Sequence, residues 1–349
     1  MLRICGKSLW VFIVVITLYI TDYATSMPPV DPAGRPLIQK LGTIDLDLVE
    51  CTPVVFRGKV YRFEWVRKSY LGHSLDESWA QDGYFRFVEH STEKSTPPFA
   101  RGYAFGSAFV DGDTVYVTGT STERGWSGQR VQIFASRDLR NWEEWTALDL
   151  DGFGICNTSM CKAEDRYVLM FEIYEPKEQA GVQFTARFAF SKDLKNWTVT
   201  PPECVYAKDR YTAPHCLRYR NGYFYDFYLE AHEGYEMRVV RSRDLINWEP
   251  SPLNPVLKAS KEDKIIFNPH LTAEQRVKVA EAQDINNSDI DFCEYEGKLI
   301  ISYSWGDQQG KEFLAEAVYA GTLEQFLQGW YPEPPAGQQA FLVHAHDEH

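Results

Sequence analysis

A seven-residue pattern, Ser-x-Asp-Leu-x-Asn-Trp, occurs three times in the chain and restricts the possible folds more than any other feature. The copies occupy residues 136–142, 191–197 and 242–248, so successive copies begin 55 and 51 residues apart. Each copy follows a run of alternating apolar residues, which is typical of a strand that ends in a tight turn. Repetition at such spacing indicates a repeat architecture.

A second recurring unit, a strand, a Gly/Asp/Asn turn and an aromatic strand, precedes these turns. Its five copies begin near residues 52, 107, 159, 213 and 289. Five units over 45–335 leave about 58 residues for each, which suits four strands joined by hairpins. We therefore predict an all-β fold, a single five-bladed β-propeller with four-stranded antiparallel blades. One helical pattern, 273–283, interrupts the strands between the fourth and fifth units.

Composition limits the function. The 349 residues include 36 Lys and Arg against 49 Asp and Glu, a net charge of −13. Because no basic stripe interrupts this acidic composition, we expect no nucleic-acid partner. Aromatic residues make up 15% of the chain, a content that fits strand-rich folds and surfaces on which sugar rings stack.

Both ends of the chain are predicted to lie outside the propeller. Residues 1–26 combine a basic start, a short apolar run and small residues, as secretory signal peptides do, so we expect a secreted or periplasmic protein with no membrane contact after cleavage. An uncleaved anchor is the alternative, although the apolar run is short for a membrane span. Residues 27–44 are predicted to form an N-terminal extension and 336–349 a disordered tail. The sequence indicates no oligomeric state.

The repeated turn and the first hairpin of each unit resemble those of five-bladed glycoside hydrolases. That superfamily includes the family 43 arabinanases and xylosidases and, more distantly, the neoagarobiose hydrolases. The resemblance covers nearly the whole chain after the signal peptide. It implies an axial pocket lined by the innermost strand of each blade, with catalytic carboxylates at the strand starts. Chemistry does not follow from such a fold alone.

The first and fourth predicted blades depart from the arabinanase pattern. Directly before Pro53, where those enzymes place the general base, this chain has Thr52, and the nearest carboxylate is Glu50. Because side chains alternate along a strand, Glu50 and Thr52 would face the same side. In the fourth blade Thr212 stands where the acidic Glu is expected. Neoagarobiose-hydrolase-like propellers use a His in this region, so His215 is the predicted general acid, with its pKa raised by a carboxylate.

The third and fifth predicted blades supply further polar residues. Asn157 stands where the resembling enzymes often have an Asp that orients the acid. Glu172 closes an apolar strand, either in the pocket or at its rim. Asp289 and Asp291 would share one face of a strand start, where their repulsion must be offset by a sugar, a cation or a shared proton.

These positions give two sets of candidate residues. The catalytic candidates are His215, Glu50, Asp289, Asp291 and Glu172. The substrate-binding candidates are Thr52, Asn157, Ser107, Asn287 and Trp305, the tryptophan serving as an exposed platform for a sugar ring. No metal ligand and no required cofactor are assigned. The resemblance allows a structural Ca²⁺ in the axial channel, which Asn and Asp oxygens would suit.

The predicted function is an exported glycoside hydrolase that cleaves a plant or algal polysaccharide or oligosaccharide by an inverting acid/base mechanism. The alternative is a non-catalytic carbohydrate-binding propeller that has lost the acid/base pair. Thr52, Asn157 and Thr212 favour this alternative, because they stand where relatives have acids. Phosphorolysis or transfer is a third class, but no strand start carries the pair of basic residues that a phosphate would need.

Overall fold

The computed structural model describes residues 29–67, 80, 82–231 and 235–332. The predicted signal peptide and the predicted C-terminal tail therefore lie outside the described residues. Within the described part of the chain, no helix is long and apolar enough to cross a membrane.

Five antiparallel sheets form a five-bladed β-propeller, which confirms the predicted fold. Blade 1 contains β2 (Thr52–Phe56), β3 (Lys59–Val66), β4 (Tyr84–Glu89) and β5 (Lys94–Ser95). Blade 2 contains β6 (Tyr103–Asp111), β7 (Thr114–Ser121), β8 (Arg130–Ser136) and β9 (Glu143–Asp149). In both blades the first strand is innermost, and each following strand pairs with the one before it.

Blades 3 and 4 repeat this arrangement. Blade 3 contains β10 (Gly154–Ala163), β11 (Arg166–Glu175), β12 (Thr185–Ser191) and β13 (Trp197–Val199), with the short β14 (Val205–Tyr206) also paired to β12. Blade 4 contains β15 (His215–Arg220), β16 (Tyr223–Glu230), β17 (Glu236–Ser242) and β18 (Trp248–Pro250). The helix Ala273–Glu281 follows blade 4, where the sequence pattern predicted one.

The fifth blade combines both ends of the propeller. Its inner strands are β19 (Asn286–Tyr295), β20 (Lys298–Gly306) and β21 (Glu312–Tyr319). Its outermost strand is β1 (Gln39–Leu46), which pairs antiparallel with β21. Residues 39–44, predicted as part of an N-terminal extension, therefore belong to the propeller. Pairing of the first strand with the last closes the ring of blades.

The repeated seven-residue segments form the same turn between the third and fourth strands of blades 2, 3 and 4. In the first copy, the carboxylate of Asp138 accepts hydrogen bonds from the backbone N–H groups of Arg140 and Asn141 at 2.9 and 2.8 Å. The backbone N–H of Asn141 contributes most to holding the pKa of Asp138 well below its ordinary value. Because strands alternate in direction, these turns lie on the face opposite the starts of the innermost strands.

Apolar side chains fill the spaces between neighbouring blades. Phe227 of blade 4 lies 5.1 Å from Phe292 of blade 5, measured between ring centroids. Phe326, on the helix Leu323–Gly329, stacks on Phe227 at 5.7 Å. All three rings are buried. This packing fixes the blades around the axis and thereby sets the positions of the innermost strand starts.

Gly42 offers a test of ring closure. It lies on β1 with φ +116°, and a Cβ atom there would come within 2.2 Å of the backbone oxygen of Ile265. Gly34 also has a positive φ, +81°, but a Cβ there would meet no atom within 4 Å. We expect Gly42→Ala to lower the melting temperature by much more than Gly34→Ala does. At Gly34 the alanine adds only the backbone cost of a positive φ, about 1–2 kcal/mol. Equal losses in thermal unfolding would contradict tight packing of β1.

Candidate active site

A cleft of about 360 Å³ opens on the face where the innermost strands begin. One part of its wall is polar and comes mainly from blades 1, 3 and 5: Glu50, Arg67, Asn157, Asp289 and Glu312. Another part is aromatic: Trp65, Phe105, Trp126, Phe184 and Tyr211. A cleft that joins aromatic rings to several carboxyl groups suits a ligand with apolar faces and many hydroxyl groups.

Three cleft residues share an unusual backbone conformation. Glu50, Phe105 and Asp289 have φ values of 55°, 53° and 54°. Glu50 stands two residues before the first paired residue of β2. Phe105 and Asp289 each stand two residues before the point where β6 and β19 resume regular pairing with the next strand. Residues other than glycine rarely adopt positive φ, and such strain concentrates at functional sites. The repeated irregularity places one side chain from each of these blades in the cleft wall.

Glu50 is one of the acids of the cleft whose pKa is raised. Burial raises the pKa of Glu50 well above its ordinary value, the nearby charge of Asp289 raises it further, and Arg67 opposes both. Its Oε2 atom is buried and has no hydrogen-bond partner among the described residues. The protonated form is therefore favoured, with one polar oxygen left for a ligand.

Asp289 forms the second member of a carboxyl pair with Glu50. Burial raises the pKa of Asp289 to about 7, although a hydrogen bond from the hydroxyl group of Ser288 lowers it. Two neighbouring carboxyl groups resist double ionisation. The Ser288 hydroxyl stabilises the charged form of Asp289, whereas Glu50 Oε2 has no hydrogen-bond partner among the described residues. Asp289 is therefore expected to lose its proton before Glu50.

A salt bridge between Arg67 and Glu312 joins blades 1 and 5 at the cleft. Arg67 Nη2 lies 2.7 Å from Glu312 Oε2. Neither residue was among the sequence-based candidates, most of which stand at the starts of innermost strands. Glu312 begins β21, the third strand of its blade, and Arg67 follows β3.

Glu172 lies behind the cleft and positions Asn157. Its side chain is fully buried and accepts hydrogen bonds from Asn157 Nδ2 at 2.8 Å and from the backbone N–H of His215 at 2.9 Å. Burial raises the pKa of Glu172 to about 7. Because Glu172 holds the amide nitrogen of Asn157, the Oδ1 atom is left as a buried acceptor without a partner among the described residues.

The structure argues against His215 as the general acid. Its side chain has no exposed surface. Nδ1 lies 2.8 Å from Asp226 Oδ2, and Nε2 lies 3.2 Å from Thr212 Oγ1. Burial lowers the pKa of His215, but the charge and the hydrogen bond of Asp226 together with the charge of Glu172 outweigh burial, so the pKa is raised. Since both ring nitrogens are engaged inside the protein, neither is free to protonate a substrate in the cleft.

A smaller cavity of about 30 Å³ continues along the propeller axis beneath the cleft. Thr52, Ser107 and Asp291, all predicted site residues, line this axial cavity and not the cleft. Asp291 is ion-paired with Arg218. A register shift in β19 between Ser288 and Asp291 breaks the alternation that predicted a shared face for Asp289 and Asp291.

Two predicted substrate-binding residues lie away from the cleft. Asn287 is buried, and its Oδ1 accepts a hydrogen bond from Lys40 Nζ at 2.6 Å. Trp305 was expected on an exposed hairpin, but β20 continues through it, and its ring is fully buried against Phe313. Its indole N–H donates to Thr43 Oγ1 at 2.9 Å. The predicted roles of Asn287 and Trp305 are therefore wrong.

Comparison with solved structures supports the fold. BT0996 in its complex with RGII has a TM-score of 0.55 at 12% identity, covering 80% of this chain and 92% of that one. A thermostable family-43 glycoside hydrolase has a TM-score of 0.51 at 10% identity, covering 84% and 97%. The GH32 β-fructofuranosidase BmSUC1 of Bombyx mori has a TM-score of 0.50 at 13% identity, covering 83% and 62%. The likeness is one of fold.

No protein-family model matches the chain, and a search of curated proteins finds no match. The structural matches confirm the predicted resemblance to glycoside-hydrolase propellers at the level of the fold. At identities of 10–13% they do not define the reaction, because one fold hosts many functions.

The axial residues do not fit the Ca²⁺ that the resemblance allows. Within the described ranges, no group of three or more His, Cys, Asp or Glu side chains could hold a metal ion. Three carboxyl groups line the axial cavity, those of Glu50, Asp289 and Asp291. Asp291 is already paired with Arg218, and the raised pKa of Glu50 favours its neutral form. A divalent cation would have to displace the guanidinium group and would find too few charged oxygens to replace its water.

Proposed function

We propose that this protein is a glycoside hydrolase whose reaction takes place in the cleft, between the carboxyl groups of Glu50 and Asp289. The observation that carries the proposal is this pair: two adjacent acids with raised pKa values, one of them with an unpartnered buried oxygen. Pairs of acids whose surroundings separate their pKa values are typical of acid/base catalysis.

Hydrolysis of a glycosidic bond requires one carboxyl group that protonates the leaving oxygen and one carboxylate that activates water. Glu50 holds its proton more strongly and is assigned as the general acid. Asp289, stabilised in its charged form by Ser288, is assigned as the general base. Water would attack the anomeric carbon on the face opposite the leaving group, so the reaction would invert the configuration.

The rest of the cleft suits a carbohydrate. Trp126 stacks on Tyr174 at a centroid distance of 5.0 Å and meets Phe184 edge to face at 6.0 Å, so two neighbouring rings pack against it. The Oδ1 atom of Asn157 can accept a hydrogen bond from a sugar hydroxyl. Three neighbours are named as RGII-bound, family-43 or β-fructofuranosidase proteins, which supports a carbohydrate substrate. A plant or algal polysaccharide and export from the cell remain predictions.

A panel of aryl glycosides and plant and algal oligosaccharides tests the proposal. We expect release of a reducing sugar from at least one substrate, and proton NMR of the fresh product should show the inverted anomer. Retention of configuration would contradict the assignment of Asp289 as a base that activates water. Saturable binding of a sugar with no product would instead support the non-catalytic carbohydrate-binding propeller.

A further inference from the structure

The two carboxyl oxygens of Glu172 are bound by donors that differ in their freedom to move. Oε1 accepts a hydrogen bond from the backbone N–H of His215, and Oε2 accepts one from Asn157 Nδ2. The backbone N–H is fixed by its strand, whereas the last torsion of an asparagine side chain has broad, roughly two-fold preferences. Rotation about that torsion therefore exchanges the positions of Oδ1 and Nδ2 of Asn157 without moving the backbone.

The charge of Glu172 decides which orientation of the Asn157 amide is satisfied. A charged carboxylate only accepts hydrogen bonds, so it holds Nδ2, whereas a neutral carboxyl group carries one O–H donor that needs an acceptor. Glu172 is fully buried, and Asn157 Oδ1 is a buried acceptor without a partner among the described residues. Because buried polar atoms are nearly always hydrogen-bonded, protonation of Glu172 favours the orientation in which its O–H donates to Oδ1.

The groups around Glu172 allow it to change charge near neutral pH. Burial raises the pKa of Glu172 to about 7, the charge of His215 and the two hydrogen bonds lower it, and Asp226 raises it. Other titratable side chains that interact electrostatically with Glu172 come from blade 1, blade 3 and the segment before blade 4: Glu50, Cys156 and Tyr211. On β12 the residue opposite Glu172 is Ala186, which does not titrate.

We propose that Asn157 is a proton-linked specificity switch of the cleft: its amide presents the acceptor Oδ1 while Glu172 is charged and turns over to present the donor Nδ2 when Glu172 takes up a proton from solvent. Asn157 lines the cleft and determines specificity, whereas Glu172 is a positioning residue. Recognition of a sugar through the switch rests on the proposed function. A sugar hydroxyl donates or accepts and fits both orientations, whereas a group that only accepts fits the second alone.

Neutron diffraction from crystals of the whole protein, grown in heavy water, tests the switch without any sugar. Neutrons locate deuterium and distinguish nitrogen from oxygen, which X-rays at ordinary resolution do not. At about pH 8.5 we expect a bare carboxylate on Glu172 with Nδ2 of Asn157 beside it. At about pH 5.5 we expect deuterium on Glu172 and Oδ1 beside it. One orientation at both pH values, or a Glu172 that stays charged at both, would overturn the proposal.

Glu172→Gln should hold the switch in its low-pH orientation. The side-chain amide of glutamine has one acceptor atom and one donor atom. Because the backbone N–H of His215 requires the acceptor, the nitrogen is left to donate to Asn157 Oδ1. We expect neutron maps of the variant to show this orientation at both pH values, and Nδ2 retained beside residue 172 would contradict the switch. If the variant does not fold, the wild-type crystals still decide.

Fluorinated sugars test recognition through Asn157. The probes are analogues of the best substrate in the panel above, each with one hydroxyl group replaced by fluorine, which accepts but does not donate. Competition against an aryl glycoside measures the affinity of each analogue relative to the unmodified substrate. We expect one analogue to bind about 10-fold more weakly in relative terms at about pH 8.5 than at about pH 5.5, the effect of one lost hydrogen bond.

Two variants complete the affinity test. Glu172→Gln should remove the pH dependence of the relative affinity, because its Asn157 amide no longer turns. Glu89→Gln, the same chemical change on β4 away from the cleft, should keep the pH dependence of the wild type. If no analogue shows the effect in the wild type, or if Glu172→Gln keeps it, recognition through Asn157 is overturned.

The outcomes separate this inference from the proposed function. If the protein cleaves no glycoside but the Asn157 amide turns over between the two pH values, the proposed function and sugar recognition fail while the switch stands. If the protein cleaves glycosides and the amide keeps one orientation, the proposed function stands and the switch fails.

Discussion

Glu50→Gln is expected to lower kcat on a natural glycoside by about 10²–10⁴-fold, the usual contribution of a general acid. Glutamine keeps the size of the side chain but cannot transfer a proton to the leaving oxygen. The loss should shrink for aryl glycosides with good leaving groups, because these need little protonation. Steady-state kinetics on a matched natural and aryl substrate measure the difference.

The control for Glu50→Gln is Glu89→Gln, which makes the same chemical change on β4 of the same blade, away from the cleft. Its activity should stay close to that of the wild type. If Glu50→Gln loses the same fraction of activity on both substrates, Glu50 does not act as the acid. If added azide restores its activity, Glu50 activates the nucleophile, and the two assigned roles are reversed.

Asp289→Asn is expected to abolish hydrolysis and, at neutral pH, to stabilise the fold. The folded pKa of Asp289 is about 7 against an ordinary value of 3.8. Between these values the folded protein binds more protons than the unfolded chain, so stability falls as pH rises. The slope for one such group is at most about 1.4 kcal/mol per pH unit.

Urea unfolding at pH 4.5, 6 and 7.5 measures the effect of Asp289→Asn. Wild-type stability should be highest at the lowest of these values and should decline towards neutral pH. The free energy of unfolding should decline less steeply with pH in Asp289→Asn than in the wild type. Part of the decline should remain in the variant, because the pKa of Glu172 is raised as well. Identical slopes in the two proteins would show that Asp289 is not a buried acid with a raised pKa.

The repeats predicted the fold because each blade depends on local features. Alternating apolar residues define a strand that is buried on one face. The Asp of each repeated turn accepts hydrogen bonds from the backbone N–H groups two and three residues later, which stabilises the turn. The strand that closes the ring was harder to find, because β1 carries no repeated turn and pairs with a partner at the other end of the chain.

The site was only partly predictable. Glu50, Asn157 and Asp289 stand at innermost strand starts, where the resemblance directed attention. The expectation that side chains alternate was wrong at β19, because the backbone is irregular at Asp289. The side chains of Asp289 and Asp291 therefore do not share one face of the strand. Side-chain alternation cannot report a bulge that the sequence does not mark with glycine.

Other site residues depended on tertiary contacts. The ring of His215 is buried because it contacts Asp226, which lies on the neighbouring strand β16. Asp226 pairs there with Leu217, two residues after His215. Glu312 lies in the cleft wall although it belongs to the third strand of its blade, and it forms a salt bridge with Arg67, 245 residues earlier in the chain. Local sequence patterns do not report contacts over such a separation. The aromatic wall likewise gathers rings from distant segments.

The composition of the fifth blade has a consequence for biosynthesis. During translation β1 is made first, yet its partner β21 follows roughly 270 residues later, and closing so long a loop carries an entropic cost. Blades 1 to 4 can form from local hairpins as they emerge, whereas the last blade must wait until β21 has been synthesised. Until then an unpaired sheet edge is exposed, the kind of surface that joins other chains. Premature termination between Gln308 and β21 would therefore yield an aggregating product, although every described cleft residue except Glu312 had been synthesised.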